Sequence, residues 1–140
     1  MAPTIQKGDF LIVRDLAQGE SRSLRRGDIV MFRSPNDPRR LYAKRIVALA
    51  GDEIRVEADR LLLNAHPVHE PCATWTEEAV FKVAPDYKAR SPELFDVGPN
   101  IIPVDTVYVL SDNRSDGSDS RAYGSIPSSA LVGRVLFTGE

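Results

Sequence analysis

The sequence predicts a mostly β protein, built as coiled antiparallel sheets or a partly closed barrel, with one small irregular insertion. Three observations carry that expectation. A glycine-aspartate pair recurs ahead of an apolar run: Gly8-Asp9 before FLIV, Gly27-Asp28 before IVMF and Gly51-Asp52 before EIRV. Glycine tolerates positive φ and aspartate bonds nearby backbone amides, so each pair reads as a tight turn that launches a strand. The strands that follow are rich in β-branched residues, apolar throughout in the first two and alternating in the third. Finally, ten prolines and nine glycines in 140 residues disfavour long helices, and no helical period persists beyond about two turns.

Further strands are expected at 41–49 and 60–63, the latter ending in a turn near Asn64. The stretch from about 65 to 103 differs. It holds most of the prolines and the only tryptophan, Trp75, and shows no sustained period apart from a short candidate strand at 79–83. It reads as an irregular inserted subdomain within a single domain spanning 1–140. Regular structure resumes at 106–110, a loop follows from Ser111 to Gly124, and a last strand occupies 131–138.

Composition narrows the function. The net charge of -2 and scattered basic residues give no reason to expect nucleic acid; the densest basic stretch, Arg22 to Arg26, leads into a strand and is expected to face water. Cys72, the only cysteine, excludes an internal disulfide framework. The longest apolar run, Ile46 to Ala50, is far short of the ~18 residues of a membrane helix, and no signal peptide is apparent, so the chain as given reads as soluble. His66, His69 and Cys72 are regularly spaced, but a zinc site needs a fourth ligand and Pro67 and Pro71 break any helix that would align them, so no metal or other cofactor is expected.

Two constellations carry chemistry. The loop Ser111-Asp112-Asn113-Arg114-Ser115-Asp116-Gly117-Ser118-Asp119-Ser120-Arg121 sets two arginines among three aspartates. An Asp119–Arg121 or an Asp112–Arg114 pair would lock it into one shape; an EF-hand reading fails for want of a closing glutamate and flanking helices. The second is Tyr42-Ala43-Lys44-Arg45 in a strand, where alternation sends Lys44 to the face opposite Ala43 and Arg45. Apolar neighbours make Lys44 a candidate for burial. Burial favours the neutral amine, which can serve as a general base.

In this order these segments resemble the boxes of the type I signal peptidases. Met1-Ala2-Pro3-Thr4 with Gly8-Asp9, Gly27-Asp28-Ile29-Val30 with Phe32, Tyr42-x-Lys44-Arg45-Ile46-Val47 through Gly51-Asp52, Asp112-Asn113-Arg114 to Asp119-Ser120-Arg121 and Gly124, and Val132-Gly133-Arg134 each match in turn. The resemblance implies a serine-lysine dyad acting on secretory signal peptides with small residues at -1 and -3, bound as an added β-strand. Lys44 would be the general base. Met1, Pro3, Tyr42 and Ala43 would contact substrate, and Ser111, Asp112, Asn113, Arg114, Asp119, Ser120 and Arg121 would support the active-site loop. The full-length protein would work at the extracytoplasmic face of a membrane.

The chain departs from that pattern in ways that shape the expectation. The family's nucleophilic serine directly precedes the position of Met1, so the sequence as given is expected to be inactive, with the serine and a membrane anchor expected upstream. A serine that bonds the lysine is replaced by Gly117, and the usual glycine before Asp112 is Ser111, whose hydroxyl is a candidate substitute; Ala48 and Ala50 replace a glycine and a proline. Alternatives are a non-catalytic relative that binds such segments or a peptidase partner, and a peptidase of a specialised secretion or conjugation system.

Overall fold

The computed structural model describes residues 1–16, 23–57, 60–74, 97–116 and 118–139. Ten strands lie among them: β1 (Phe10–Asp15), β2 (Ile29–Arg33), β3 (Leu41–Leu49), β4 (Glu53–Glu57), β5 (Arg60–Leu63), β6 (His66–Pro67), β7 (Val97–Ile101), β8 (Thr106–Leu110), β9 (Ile126–Pro127) and β10 (Leu131–Gly139). A four-residue helix, α1 (Ser120–Tyr123), and a 3-10 turn at Ser128–Ala130 complete the described elements that shape the site. The strands form two antiparallel sheets, ordered β1-β10-β2-β3-β8-β9 and β6-β5-β4-β7, and neither closes on itself.

The glycine-aspartate turns form as their chemistry dictates. Gly27 and Gly51 adopt φ of 95° and 87°, a region costly for residues with a Cβ. In all three pairs the aspartate accepts from the backbone amide three residues earlier: Asp9 from Gln6 at 2.8 Å, Asp28 from Arg25 at 2.9 Å and Asp52 from Leu49 at 2.7 Å. Asp52 also ties two of these turns together by accepting from Arg26 Nε at 3.0 Å. Burial works to raise the Asp52 pKa, but Arg26, the Leu49 amide and Asn64 outweigh it and hold the carboxyl below its usual range.

β3 and β8 are the strands on which both halves of the core rest. One cluster gathers Val30 and Phe32 from β2, Ile46 from β3, Val107 and Val109 from β8, with Leu24, Ile126 and Leu131. The other gathers Val47 and Ala48 from β3, Tyr108 and Leu110 from β8, and Ile54, Val56, Leu61 and Ile102 against the second sheet. An irregularity in the β3–β8 register between Ile46 and Ala48 allows adjacent Val47 and Ala48 to join the same cluster. Before this bulge β3 alternates; after it, the strand is covered on both sides.

The stretch from 65 to 103 is more regular at its ends than its sequence suggests. β6 extends the second sheet beyond β5, and β7 pairs with β4. β7 is an edge strand whose Gly98 and Pro99 give no period-2 signal; its pairing depends on backbone groups, and an edge tolerates proline's missing N–H. Ile102 follows, 1% exposed, with its amide donating to Asp52 O and its carbonyl accepting from Gly51 N. The expected short strand at 79–83, and Trp75, lie outside the described residues.

In β10, Gly133 sits where β1 and β2 converge, opposite Asp15 on one side and Met31 on the other. A Cβ there would meet Arg14 O at 2.8 Å and press on the Val13 side chain. Gly133→Ala is therefore expected to lower stability by about 1–3 kcal/mol, the usual range for overpacking, read as a reduced urea midpoint.

Candidate active site

Alternation along β3 sorts the functional side chains. Lys44 stands opposite Val30 of β2 and points to the side of Ile46, while Arg45 stands opposite Leu110 of β8 and points to the other side. Lys44 is only 4% exposed. Its Nζ donates to Ser111 Oγ at 2.6 Å and to Asp116 Oδ2 at 2.9 Å. The Tyr42 ring lies beneath it, with the centroid 5.7 Å from Nζ, and Tyr123 of α1 stacks on Tyr42 at 6.4 Å. The Met1 amino group lies near enough to Lys44 and Asp116 to feel both charges: burial and Lys44 lower its pKa, and the carboxylates of Asp116 and Asp112 partly offset this.

The loop after β8 brings Ser111 and Asp116 to Lys44 because it is tied down from within. Asp119 is fully buried and caps α1 by accepting from the Arg121 amide, while its other oxygen accepts from Ser111 N at 2.9 Å. The Arg121 guanidinium donates to Asp119 through Nε at 2.9 Å and Nη2 at 2.7 Å. It also donates to the backbone carbonyls of Arg114 and Asp116, both at 2.7 Å. Burial lowers the Arg121 pKa, but its hydrogen bonds to Asp119 and that carboxylate's charge outweigh it and keep the group charged. Ser120 contributes differently: its Oγ accepts from Val109 N at 3.0 Å and pins α1 to β8.

Of the two ion pairs that the loop's sequence allows, the geometry contains one. Asp119 and Arg121 pair; Asp112 and Arg114 do not. Asp112 instead accepts from Arg45 Nε at 2.8 Å and Nη2 at 2.7 Å, on the far side of β3. Arg114 reaches Glu70 through a two-pronged contact, with Nη1 to Oε2 at 2.8 Å, and donates through Nε to Ser111 O. Two residues apart along an irregular loop, the Asp112 and Arg114 side chains diverge to opposite anchors, and their shared segment gave no way to see partners 67 and 44 residues distant.

Thr4 connects the amino-terminal turn to this network, since its hydroxyl donates to Asp112 Oδ2 and receives Arg45 Nη2 at 3.3 Å. Segment 70–74 closes the far side. Thr74 and Asn113 form a parallel bridge, with Thr74 N donating to Asp112 O at 2.7 Å and Arg114 N to Thr74 O at 2.8 Å. Asn113 Oδ1 accepts from Ser115 N at 3.1 Å, tightening the turn.

The structure thus brings Lys44, Ser111, Tyr42 and the Met1 amino group to one place. Ala43, partly buried, lies on the opposite side of β3 from Lys44 and Tyr42, and Pro3 is exposed in the amino-terminal turn. Gly117 lies outside the described residues. In the sequence Asp116 looks like one more polar residue of a turn; only the fold shows that it faces Lys44. Among the described residues no group of three or more His, Cys, Asp or Glu is placed to hold a metal ion, and no helix is long and apolar enough to cross a membrane.

The profile described as "Signal peptidase, peptidase S26" matches residues 1–139. The chain belongs to the signal peptidase S26 family. Among its relatives are the signal peptidase I of Leptolyngbya laminosa, 29% identical over 97% of this chain and 62% of that protein, and that of Bacillus caldolyticus, 30% identical over 98% of this chain and 72% of that protein. The chain thus spans less than two thirds of the Leptolyngbya protein. The fold matches the crystal structure of a signal peptidase I from Enterococcus faecalis V583, with a TM-score of 0.59 and 24% identity over 81% of this chain and 97% of that one.

The Asp119–Arg121 pair yields a stability prediction. With side chains 0% and 1% exposed, removing the cation leaves a buried carboxylate without its counter-charge. Arg121→Met is expected to cost about 3–5 kcal/mol, measured by urea unfolding.

Proposed function

We propose that this chain is the body of a signal peptide-cleaving endopeptidase in which Lys44 is the general base and a serine directly before Met1 is the nucleophile. The reading rests above all on one observation: a buried lysine amine is oriented by Ser111 and Asp116 beside the Met1 amino group. A residue joined to that amino group would extend from a turn whose terminus already feels the charges of Lys44 and Asp116.

In this mechanism the serine Oγ attacks the scissile carbonyl and its proton passes to the neutral Lys44 amine as the Oγ–C bond forms. The lysine ammonium returns that proton to the departing amine as the C–N bond breaks. Water then attacks the acyl ester, with Lys44 taking its proton and returning it to the serine Oγ as the Oγ–C bond breaks. Ser111 holds the amine in line, taking the part of the hydroxyl that Gly117 lacks. The preferred substrates are segments with small residues at -1 and -3, approached along the Met1 turn and the β3 strand and bounded by Tyr42. A membrane anchor upstream of that serine would hold the body at the extracytoplasmic membrane face, where such substrates emerge.

The decisive experiment joins Ser to the amino side of Met1, behind a short linker, and measures cleavage of an Ala-x-Ala peptide. The serine-extended chain is expected to cut. The chain beginning at Met1 is not, and Lys44→Ala in the extended chain should lose at least roughly a hundredfold in rate, the smaller end of a general base's contribution. Ser111→Ala in the extended chain should cost about 10- to 100-fold in kcat, the equivalent of one hydrogen bond to a charged group. Full activity of the Ser111→Ala enzyme would remove Ser111 from the dyad. The Lys44–Asp116 ion pair favours one second reading, a body that holds such peptides without cutting. Tight peptide binding with no cleavage by the serine-extended chain selects it.

A further inference from the structure

We propose that Asp116 is a positioning residue that sets the pH threshold of cleavage, by holding the Lys44 amine in its charged form while also aiming it. The inference rests on the dyad reading above and gives Asp116, there one of the two hydrogen-bond partners of the amine, a second effect.

The geometry is a closed triangle. Asp116 Oδ2 accepts from Lys44 Nζ at 2.9 Å and from Ser111 Oγ at 3.2 Å, while Ser111 Oγ accepts from Lys44 Nζ at 2.6 Å. The Ser111 hydrogen is thereby committed to Asp116, which leaves the Ser111 oxygen as a pure acceptor toward the lysine. Two of the amine's N–H groups are fixed by these acceptors. Its remaining direction carries a third N–H in the ammonium and the lone pair in the free amine.

The same carboxylate has an opposite effect on basicity. An anion 2.9 Å from a buried amine stabilises the ammonium, and an ammonium cannot take a proton from a hydroxyl. The proton must first leave Lys44 for solvent, with Asp116 remaining as a carboxylate facing a neutral amine. Burial would raise the Asp116 pKa, but the charge and hydrogen bond of Lys44 outweigh it and hold the carboxyl at about 2. Asp116 therefore stays ionised throughout any usable assay range, and its own titration is not what an assay would read.

Among the described residues, the other groups around Lys44 leave Asp116 as its nearest counter-charge. On its own strand lie the neutral Tyr42 ring, and Arg45, which points away to Asp112. β2 offers the apolar Val30, and α1 offers Tyr123, stacked on Tyr42. The amino-terminal turn offers the Met1 amine, of like sign to the lysine. From the loop, Asp112 is paired with Arg45 and Arg121 is paired with Asp119, though Arg121 fixes the Asp116 backbone through its carbonyl.

Asparagine separates the two effects, since its amide oxygen keeps the acceptor and loses the charge. In the serine-extended chain, Asp116→Asn is expected to move the acid limb of the kcat/KM profile to lower pH by about one to three pH units, nearer the lower end for a side chain partly open to water. At a fixed pH on that limb, the variant would cut roughly tenfold faster for each pH unit by which the limb moves. Asp116→Ala, which also removes the acceptor, should move the limb in the same direction with a lower plateau. A readout independent of cleavage uses the chain starting at Met1: NMR of lysine labelled with 13C at Cε, with the Lys44 signal assigned through Lys44→Met. The Lys44 inflection is expected at lower pH in Asp116→Asn than in the parent. Coincident titration curves in parent and Asp116→Asn overturn the proposal, as does a rate lowered equally at every pH. Cleavage by the serine-extended parent decides the enzyme reading separately.

Discussion

Most of the site's shape depends on one buried ion pair, Asp119 with Arg121. These two side chains lie two residues apart and neither is accessible to water, yet each bonds beyond the pair. Asp119 takes the Ser111 amide, and Arg121 takes the carbonyls of Arg114 and Asp116. A loop of small polar residues has little apolar surface with which to hold a shape, and the entropy of ordering it runs to about 1–2 kcal/mol per residue. Here charge-assisted hydrogen bonds supply what a hydrophobic core cannot. Because they grip backbone on both sides of the turn, Ser111 and Asp116 arrive at Lys44 already oriented.

The pair also explains why the lysine can be buried at all. An amine with a few per cent of its surface exposed needs partners for its hydrogens, and it finds a neutral and a charged one at 2.6 and 2.9 Å. Those partners are on a loop 67 and 72 residues further along the chain, so the site needs β3 and β8 to be paired. On the reverse face of β3, Arg45 and Asp112 repeat the arrangement, and Thr4 brings in the amino-terminal turn. Folding of the loop, docking of the turn and burial of the lysine are therefore parts of one cooperative event.

Local chemistry made much of this legible in the sequence. The strands at 41–49, 60–63 and 106–110 follow from their apolar runs between turn residues, and the glycine-aspartate pairs mark the starts of the strands at 10–15, 29–33 and 53–57, because both residues act within three positions of themselves. Lys44 was readable as a buried candidate because its neighbours are apolar. What could not be read has a common character. The partners Arg45–Asp112, Arg114–Glu70 and Lys44–Asp116 are distant in sequence, and side chains of the right type occur nearby in each case. Strand β7 was hidden for another reason: an edge strand held by backbone bonds need not show a pattern in its side chains.

The bulge at Val47 divides β3 into two parts subject to different rules. From Leu41 to Ile46 the strand is two-faced, and a side chain's place in the sequence decides which task it serves. Beyond the bulge, Val47 and Ala48 both face the second core cluster. The irregularity thus acts as a mechanical fuse between chemistry and packing. Variation at 41–43 can reshape the surface beside Lys44 without propagating a register change into the core, whereas a one-residue insertion between Arg45 and Ile46 would exchange the faces and turn the arginine to the side that Lys44 now occupies. Directed evolution of this scaffold has a natural boundary there, with diversity on one side and restraint on the other.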